Sequence, residues 1–160
     1  MTVKTNAMRV LERAGIPFEL REYVYDERTF SAEDAAAQVG MAPETVFKTL
    51  LLRGDHSGYL FALIPAGTEV DLRGLALASG DKRVELVPQR AVQGLTGYLR
   101  GAVTVLAARH AYPVFIDETV ELWPQVGISG GAHGLELVLA PADLLRITAA
   151  RPADIARTPT

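Results

Sequence analysis

The sequence contains no cysteine and only one tryptophan among its 160 residues. Without cysteine the chain can form no disulfide, no thiolate nucleophile and no cysteine-based zinc site. It has no apolar run close to the roughly 20 residues that a helix needs to cross a bilayer. Its first residues also lack the apolar stretch of a signal peptide. We therefore expect a cytoplasmic protein with no membrane partner.

An excess of positive charge is absent as well, since the formal net charge is −3. Strong binding to nucleic acid depends on neutralising phosphates. The acidic balance therefore argues against a DNA partner and against strong autonomous binding of RNA. A local basic patch, or a nucleic acid delivered by another protein, stays open. The length favours one domain over residues 1–160 with a sizeable core.

Hydrophobic periodicity and turn residues predict helices interleaved with strands and hairpins, without an internal repeat. This order favours an α/β protein of the α+β type, whose largely antiparallel or mixed sheet could curl into a barrel with flanking helices. Helices are predicted at 6–14, 31–39, 71–79, 88–93, 118–123 and 143–147, with a further turn at 152–156, and strands at 17–25, 47–53, 59–64, 84–87, 103–106, 114–116, 126–129 and 135–139.

A single charge interrupts the most apolar strand of the chain. Val46–Leu52 reads Val-Phe-Lys-Thr-Leu-Leu-Leu, and Lys48 is its only charged residue. A buried charge is very costly unless it reaches water, a partner or a ligand. Lys48 could protect a sheet edge from aggregation, or it could face a functional pocket. The residues alone favour neither interpretation.

The segment Gly127–Gly131 fits the G-x-S-x-G pattern of a serine nucleophile. Its context does not fit, because the pattern leads into another strand instead of a helix. The only later histidine is His133, and the acids that follow come in the wrong order. A glycine-rich hairpin turn is the simpler interpretation. Free N–H groups around Ser129 could still bind a carbonyl oxygen or a phosphate.

Metal and nucleotide motifs are missing from the sequence. The histidines at positions 56, 110 and 133 have no metal-ligand spacing, and each is expected to be a solvated loop residue. Neither the G-x-x-x-x-G-K-[ST] phosphate loop nor a dinucleotide G-x-G-x-x-G appears.

Two acids and one loop give weaker signals. Asp117 follows an apolar strand and is expected to cap a helix. Glu136 lies within a predicted strand, either on its polar face or facing the same cavity as Lys48. The loop Gly94–Gly101 carries three glycines and Tyr98, which is typical of a loop that holds binding groups.

Several segments of the chain together form one pattern through their order and spacing. They are Tyr23, Val46-Phe47-Lys48-Thr49-Leu50, Thr96-Gly97-Tyr98-Leu99-x-Gly101, Ile116-Asp117, Ser129-Gly130-Gly131 and Gly134-Leu135-Glu136. The pattern resembles the YbaK/EbsC family of bacterial aminoacyl-tRNA deacylases, which are related to the editing insertion of prolyl-tRNA synthetase. The resemblance covers about residues 7–157.

This resemblance implies a compact α/β fold with a mixed, barrel-like sheet and flanking helices, and a site that uses neither a metal nor a cofactor. It implies that Lys48 is the central functional residue and that Gly101 acts with it in catalysis. Substrate-binding roles are expected for Tyr23, Thr49, Tyr98, Asp117, Ser129, Gly130, Gly131 and Glu136.

The implied substrate is an amino acid esterified to the acceptor end of a tRNA, with Cys-tRNA(Pro) as the nearest match and prolyl-tRNA synthetase as a candidate partner. Backbone N–H groups of Gly101 or of Gly130 and Gly131 are expected to meet the carbonyl oxygen. Glu136 is expected to hold either Lys48 or the substrate amine.

Two positions depart from the family pattern. Glu136 stands where relatives more often have aspartate, and the segment after Gly101 reads Ala-Val-Thr-Val where relatives usually have a second small residue and a proline. These departures keep a second hypothesis open, in which the chain is a module that binds a small ligand or an aminoacyl-tRNA end without hydrolysing it.

Overall fold

A computed structural model describes residues 4–160. Within that range the helices are α1 Asn6–Arg13, α2 Ala32–Gln38, α3 Leu72–Ser79, α4 Gln89–Thr96 and α5 Pro141–Thr148, with 3-10 turns at Pro43–Thr45 and Glu118–Leu122. The strands are β1 Glu19–Glu22, β2 Phe47–Gly54, β3 Gly58–Pro65, β4 Glu69–Val70, β5 Val84–Leu86, β6 Val114–Asp117, β7 Val126–Ser129, β8 Leu135–Leu139, β9 Arg151–Ala153 and β10 Ala156–Arg157.

The strands form three sheets, of which the largest has the order β5-β2-β3-β6-β9. In it the β2–β3 hairpin and β5 are antiparallel, whereas β6 pairs in parallel with both β3 and β9. A second sheet has the order β1-β8-β7, and β10 pairs with β4. The prediction of a mixed sheet with interleaved helices is therefore confirmed.

The main hydrophobic core joins the two larger sheets and α1. Leu11, Phe47, Phe61, Ile128 and Leu137 belong to it, and all are almost completely buried. Burying one such side chain stabilises the fold by about 1.5–3 kcal/mol. This packing holds β2 and β7 side by side, and those two strands border the candidate site.

A smaller core lies where α3 packs against the five-stranded sheet. It includes Leu52, Leu60, Leu75 and Phe115. Successive residues of a strand point to opposite faces, so Leu51 and Leu52 contribute to different cores. Because β2 is covered on both faces, it reads in the sequence as an almost continuous apolar run.

Helix α2 carries small residues on its inner face. Its N-terminus is capped by the Ser31 side chain, which accepts a hydrogen bond from the Asp34 N–H. Ala35 and Ala36 are buried, and Ala36 packs in a cluster with Val46. The short alanine side chains let the helix lie close to the start of β2.

Two sequence predictions of secondary structure are wrong. Residues 103–106 form no strand; Leu106 instead donates its N–H to the Thr104 side chain and accepts a hydrogen bond from Tyr98. The helical turn expected at 152–156 is replaced by β9 and β10. Side-chain hydrogen bonds hold residues 103–106, and β9 and β10 pair with strands that lie far away in the sequence. Hydrophobic periodicity reveals neither kind of partner.

Within residues 4–160, no helix has the length and apolar character that crossing a bilayer requires.

Candidate active site

A cavity of about 530 Å³ opens beside the middle of β2. Sites of roughly 300–1,000 Å³ are typical for small ligands. We call it the β2 cavity, and the residues that line it include Tyr23, Phe30, Glu33, Lys48, Thr49, Leu50, Leu86, Val87, Val92, Arg100, Gly101, Ser129 and Glu136.

The cavity exists because β2 is paired unevenly on its two sides. One side is paired with β3 along its whole length. On the other side, β5 begins to pair only at Leu52, and β7 touches the strand through a single parallel bridge between Val46 and Gly127. The segment between these two contacts has no neighbouring strand on that side, and it forms a wall of the cavity.

Lys48 lies on this wall, two residues beyond the bridge to β7 and therefore level with Ser129. Its side chain is half-buried. Loss of water lowers the pKa of the Lys48 amine, although the charges of Glu33 and Glu69 act in the opposite direction. No ion pair of Lys48 within 4.0 Å is found among residues 4–160. The amine is therefore free to meet a ligand that carries a negative or partly negative oxygen.

Glu136 is a nearly buried carboxyl group in the same cavity, with an exposed fraction of 4%. In the sheet it pairs with Ser129 on one side and with Arg21 on the other. Burial raises the pKa of Glu136 to about 8. In the described part of the chain its carboxyl group has no hydrogen-bond partner. It lies more than 4.0 Å from Lys48, so the expectation that Glu136 holds Lys48 directly is not met.

Tyr23 follows β1 at the rim of the three-stranded sheet, where its N–H donates to the Gly134 carbonyl. Its ring stacks on Phe30 with centroids 6.3 Å apart. Burial, together with the charge of Glu136, raises the pKa of Tyr23 to about 12. The phenol therefore stays protonated at neutral pH and can donate a hydrogen bond into the cavity.

Gly101 closes the cavity against a cluster of aromatic rings. Its φ is +85°, and a Cβ added there would lie 3.1 Å from Tyr25 and 3.3 Å from Phe30. The Tyr25 ring stacks on His133 with centroids 3.7 Å apart, and the His133 Nε2 lies 2.7 Å from the Arg100 carbonyl oxygen. This cluster fixes the backbone of the loop that carries Gly101.

Sequence reasoning missed Tyr25, Phe30 and Glu33. Tyr25 and Phe30 stand in or beside a short polar connection, where single aromatic residues predict no site. Glu33 reads as an ordinary acidic residue in the first turn of α2. Their contribution depends on packing against Gly101 and on proximity to Lys48, neither of which a local pattern reveals.

The Ser129–Gly131 turn offers a substrate fewer free backbone N–H groups than expected. Ser129 lines the cavity, but the Gly130 N–H donates to the Leu135 carbonyl at 2.9 Å. The Gly131 N–H donates to the Ser129 side chain at 3.2 Å. Both amides are already used within the turn, so they are not available to a substrate oxygen in this conformation. The turn joins two antiparallel strands, as the hairpin interpretation predicted.

The Gly101 N–H differs from these two amides. Among the residues that the structure describes, no acceptor lies within hydrogen-bond range of it. Gly101 also borders the cavity. Of the three amides considered, it is therefore the one that could donate to a bound carbonyl oxygen.

Four expected substrate-binding residues lie outside the cavity lining, namely Gly130 and Gly131 of the turn above together with Tyr98 and Asp117. The Tyr98 hydroxyl donates to the Leu106 carbonyl at 2.6 Å, and its ring packs against Gly131. Burial raises its pKa. Asp117 is 3% exposed, and its oxygens accept from Thr119 and from two N–H groups of the C-terminal segment. Tyr98 supports a loop, and Asp117 joins two parts of the fold.

The described chain contains no group of three His, Asp or Glu side chains placed to hold a metal ion. His133 belongs to the aromatic cluster, and His110 packs near Tyr112. His56 lines a separate cleft at the tip of the β2–β3 hairpin. The β2 cavity offers an amine from Lys48, a guanidinium from Arg100, carboxyl groups from Glu33 and Glu136, hydroxyl groups and backbone amides.

Known proteins share this fold and sequence pattern. A profile of the aminoacyl-tRNA editing domain matches residues 26–147. A protein from Enterococcus faecalis (strain ATCC 700802 / V583), provisionally named Cys-tRNA(Pro)/Cys-tRNA(Cys) deacylase EbsC, is 34% identical over 152 residues, which cover 95% of this chain and 93% of that protein.

Solved structures agree with the sequence match. One described provisionally as a trans-editing enzyme for prolyl-tRNA synthetase superposes with a TM-score of 0.83 at 26% identity, covering 98% of this chain and 99% of that one. Another, from work on grafting linear epitopes onto scaffold proteins, gives a TM-score of 0.82 at 26% identity over 97% of this chain and 99% of that one. The matched range holds Lys48, Gly101 and Glu136. The chain therefore belongs to the aminoacyl-tRNA editing family of YbaK/EbsC deacylases.

Proposed function

We propose that this chain is a deacylase that hydrolyses mischarged tRNA, with Cys-tRNA(Pro) as its main substrate, and that it acts in trans after the synthetase has released its product. The observation that carries the proposal is that one cavity contains both an amine and a buried carboxyl group for which residues 4–160 provide no partner. Lys48 and Glu136 border a space of the size that a small ligand needs. The relatives named above support the same substrate class.

Lys48 supplies positive charge in this proposal. When the ester carbonyl is attacked, its oxygen gains negative charge. Preorganised donors and charges aimed at such an oxygen are usually the largest single contribution to catalysis. Among the described residues, no acid pairs with the Lys48 amine and competes with that oxygen. The free N–H of Gly101 is the second donor.

Glu136 recognises the amino-acid part of the substrate. At neutral pH much of the Glu136 population is protonated, because burial raises its pKa to about 8. An incoming α-ammonium group stabilises the carboxylate form, so binding is coupled to loss of the Glu136 proton. A group that is buried without a partner thereby gains one only when substrate is present.

The substrate can provide its own nucleophile. In the route that the family resemblance implies, the cysteinyl sulfur attacks its own ester carbonyl. A carbon–sulfur bond forms, the bond between the carbonyl carbon and the ribose oxygen breaks, and the thiol proton passes to that oxygen. Water then opens the thiolactone to release cysteine. The protein contributes positioning and charge and needs neither its own nucleophile nor a metal.

Selection of the tRNA depends on a partner in this proposal. The net charge of −3 gives the chain little general attraction for nucleic acid. Prolyl-tRNA synthetase, which handles the same tRNA, is the partner we propose, in the cytoplasm. The whole chain of 160 residues acts as a single editing domain.

A panel of mischarged tRNAs tests the proposal. Cys-tRNA(Pro), Ala-tRNA(Pro) and Cys-tRNA(Cys) are incubated with the protein, with and without prolyl-tRNA synthetase, and release of free amino acid is followed over time. We expect Cys-tRNA(Pro) to be deacylated fastest and the synthetase to sharpen the choice of tRNA. Saturable binding without turnover on every substrate would instead establish a binding module.

A further inference from the structure

The open edge of β2 presents backbone hydrogen-bonding groups to the cavity. In an antiparallel strand, the N–H and C=O of one residue point to one side, and those of the next residue point to the other. The Leu51 carbonyl accepts from the Val87 N–H at 3.1 Å on the β5 side, whereas the Val46 carbonyl accepts from the Ala66 N–H at 2.8 Å on the β3 side. The backbone N–H and C=O groups of the odd-numbered residues of β2 therefore point to the cavity side.

This alternation identifies two specific groups. The Thr49 C=O and the Leu51 N–H lie on the cavity side, between the bridge to β7 and the hydrogen bond that joins the Leu51 carbonyl to Val87. The C=O of one residue and the N–H two residues further form an acceptor and a donor side by side on the same edge. No hydrogen-bond partner of either group is found within residues 4–160, so both are available to a ligand in the cavity.

The side chains beside these groups are mostly apolar, with Gln89 as a polar member of the lining. Leu50, Leu86, Val87 and Val92 line this end of the cavity, whereas Lys48, Ser129 and Glu136 lie toward the β7 end. Lys48 and Leu51 are three residues apart, which is about 10 Å along a strand. The cavity therefore has a polar end for the reacting ester and an apolar end with a strand edge.

On the basis of the deacylase function above, we propose that the open edge of β2 recognises the adenine base of the terminal adenosine. The Thr49 carbonyl accepts a hydrogen bond from the 6-amino group of adenine, and the Leu51 N–H donates to N1. The apolar side chains cover the faces of the ring. The ester carbonyl then lies at the other end of the cavity, near Lys48.

This arrangement discriminates between bases by the order of donor and acceptor. Adenine presents a donor at position 6 and an acceptor at N1. Hypoxanthine presents an acceptor at position 6 and a donor at N1, so both contacts are lost and four groups are left unsatisfied. A buried group left without its partner costs about 1–3 kcal/mol.

The test varies the ligand, because both recognising groups belong to the backbone. The adenosine probe is 3′-deoxy-3′-(cysteinylamino)adenosine, a stable amide analogue of the ester, and its affinity is measured by calorimetry. Its inosine and 7-deazaadenosine counterparts are measured alongside. We expect the inosine analogue to bind at least about tenfold more weakly. The 7-deaza analogue, which keeps N1 and the amino group, should bind within about twofold of the adenosine analogue.

A pair of leucine variants tests the apolar end. Leu86 lines the cavity and is 53% exposed, whereas Leu77 is 85% exposed on α3 and lies away from it. Leu86→Ala should weaken the adenosine and inosine analogues by the same factor, about three- to tenfold. Leu77→Ala should change neither affinity.

Equal affinity for the adenosine and inosine analogues, or no binding of the adenosine analogue, would overturn the inference. These outcomes are distinguishable from failure of the proposed function. If the protein deacylates mischarged tRNA but binds both analogues equally well, the proposed function holds and the adenine site is contradicted. If the protein discriminates between the analogues but deacylates no mischarged tRNA, the adenine site holds and the proposed function is contradicted.

Discussion

Glu136 and Ser129 face each other across the β7–β8 ladder, and within residues 4–160 only the Ser129 side chain has a hydrogen-bond partner. The Ser129 hydroxyl accepts a hydrogen bond from the Gly131 N–H. The Glu136 carboxyl group has no hydrogen-bond partner in the described part of the chain, and burial raises its pKa to about 8. A buried ionisable group of this kind destabilises the charged form of the folded protein. Its retention in a cavity fits a functional role.

The stability of the protein should therefore fall between pH 5 and pH 8. Over this range the folded state holds a proton on Glu136 that the unfolded state, with a carboxyl pKa of 4.5, has already lost. The folded state binds more protons, so stability decreases as the pH rises through the window. Glu136→Gln should remove this contribution, on the order of 3–5 kcal/mol in total. Urea unfolding at pH 5, 6, 7 and 8 measures it.

The exposed Glu121 provides the control for this experiment. Glu121→Gln removes an exposed carboxylate and keeps the buried one. The stability of this variant should therefore equal that of the parent protein at each pH. If Glu136→Gln and the parent protein lose stability in parallel from pH 5 to pH 8, the buried carboxyl group is not the cause.

Lys48→Met should reduce deacylation and leave the fold intact. Methionine fills a similar volume but carries no charge, and the half-buried amine forms no ion pair with the part of the chain that the structure describes. Removing one group that stabilises a developing oxyanion costs about 10²- to 10³-fold in kcat. Turnover of Cys-tRNA(Pro) and the thermal midpoint are measured together. Lys82→Met, on an exposed lysine outside the β2 cavity, should leave both unchanged. Full activity of the Lys48 variant would remove this lysine from the mechanism.

The β2–β3 hairpin and its lysine could be predicted because their signals are local. Two apolar runs flank a short turn that contains glycine, and one charge stands out in the first run. The same holds for Ser129, since a glycine-rich turn between strands is recognisable from composition alone. These features correctly predicted the strand that borders the β2 cavity.

Other parts depend on contacts between distant segments. The stack of Tyr25 on His133 joins positions more than 100 residues apart, and no spacing rule predicts it. Strand β9 exists because it pairs in parallel with β6, so its own three residues carry little signal. Asp117 was expected both to cap a helix and to bind substrate. The capping was correct, because it requires only the following residues.

Gly101→Ala should impair both stability and turnover. A residue other than glycine at positive φ costs about 1–2 kcal/mol. The added Cβ would also press on Tyr25 and Phe30, which changes the shape of the cavity wall. We therefore expect a lower thermal midpoint and a higher KM.

Gly97 is a matched control, because it has the same φ of +85° but a Cβ there would meet its nearest atom only at 3.9 Å. Gly97→Ala should show the backbone cost alone. Thermal unfolding and KM are compared for the two variants. Equal KM values for both would mean that contact with the rings at position 101 does not matter to the substrate.

Asp117→Ala should destabilise the protein without changing the chemistry. One carboxylate oxygen accepts the N–H groups of Ile155 and Ala156 at 3.1 Å each, and the other accepts the Thr119 hydroxyl at 2.6 Å. Removing the carboxylate leaves buried donors unsatisfied, at a cost of about 2–4 kcal/mol. Unfolding is measured by urea titration, and kcat is normalised to the folded fraction. Because Asp117 lies outside the β2 cavity lining, kcat per folded molecule should stay within about twofold of the parent value. A stable variant with a large loss of kcat would instead return Asp117 to the substrate site.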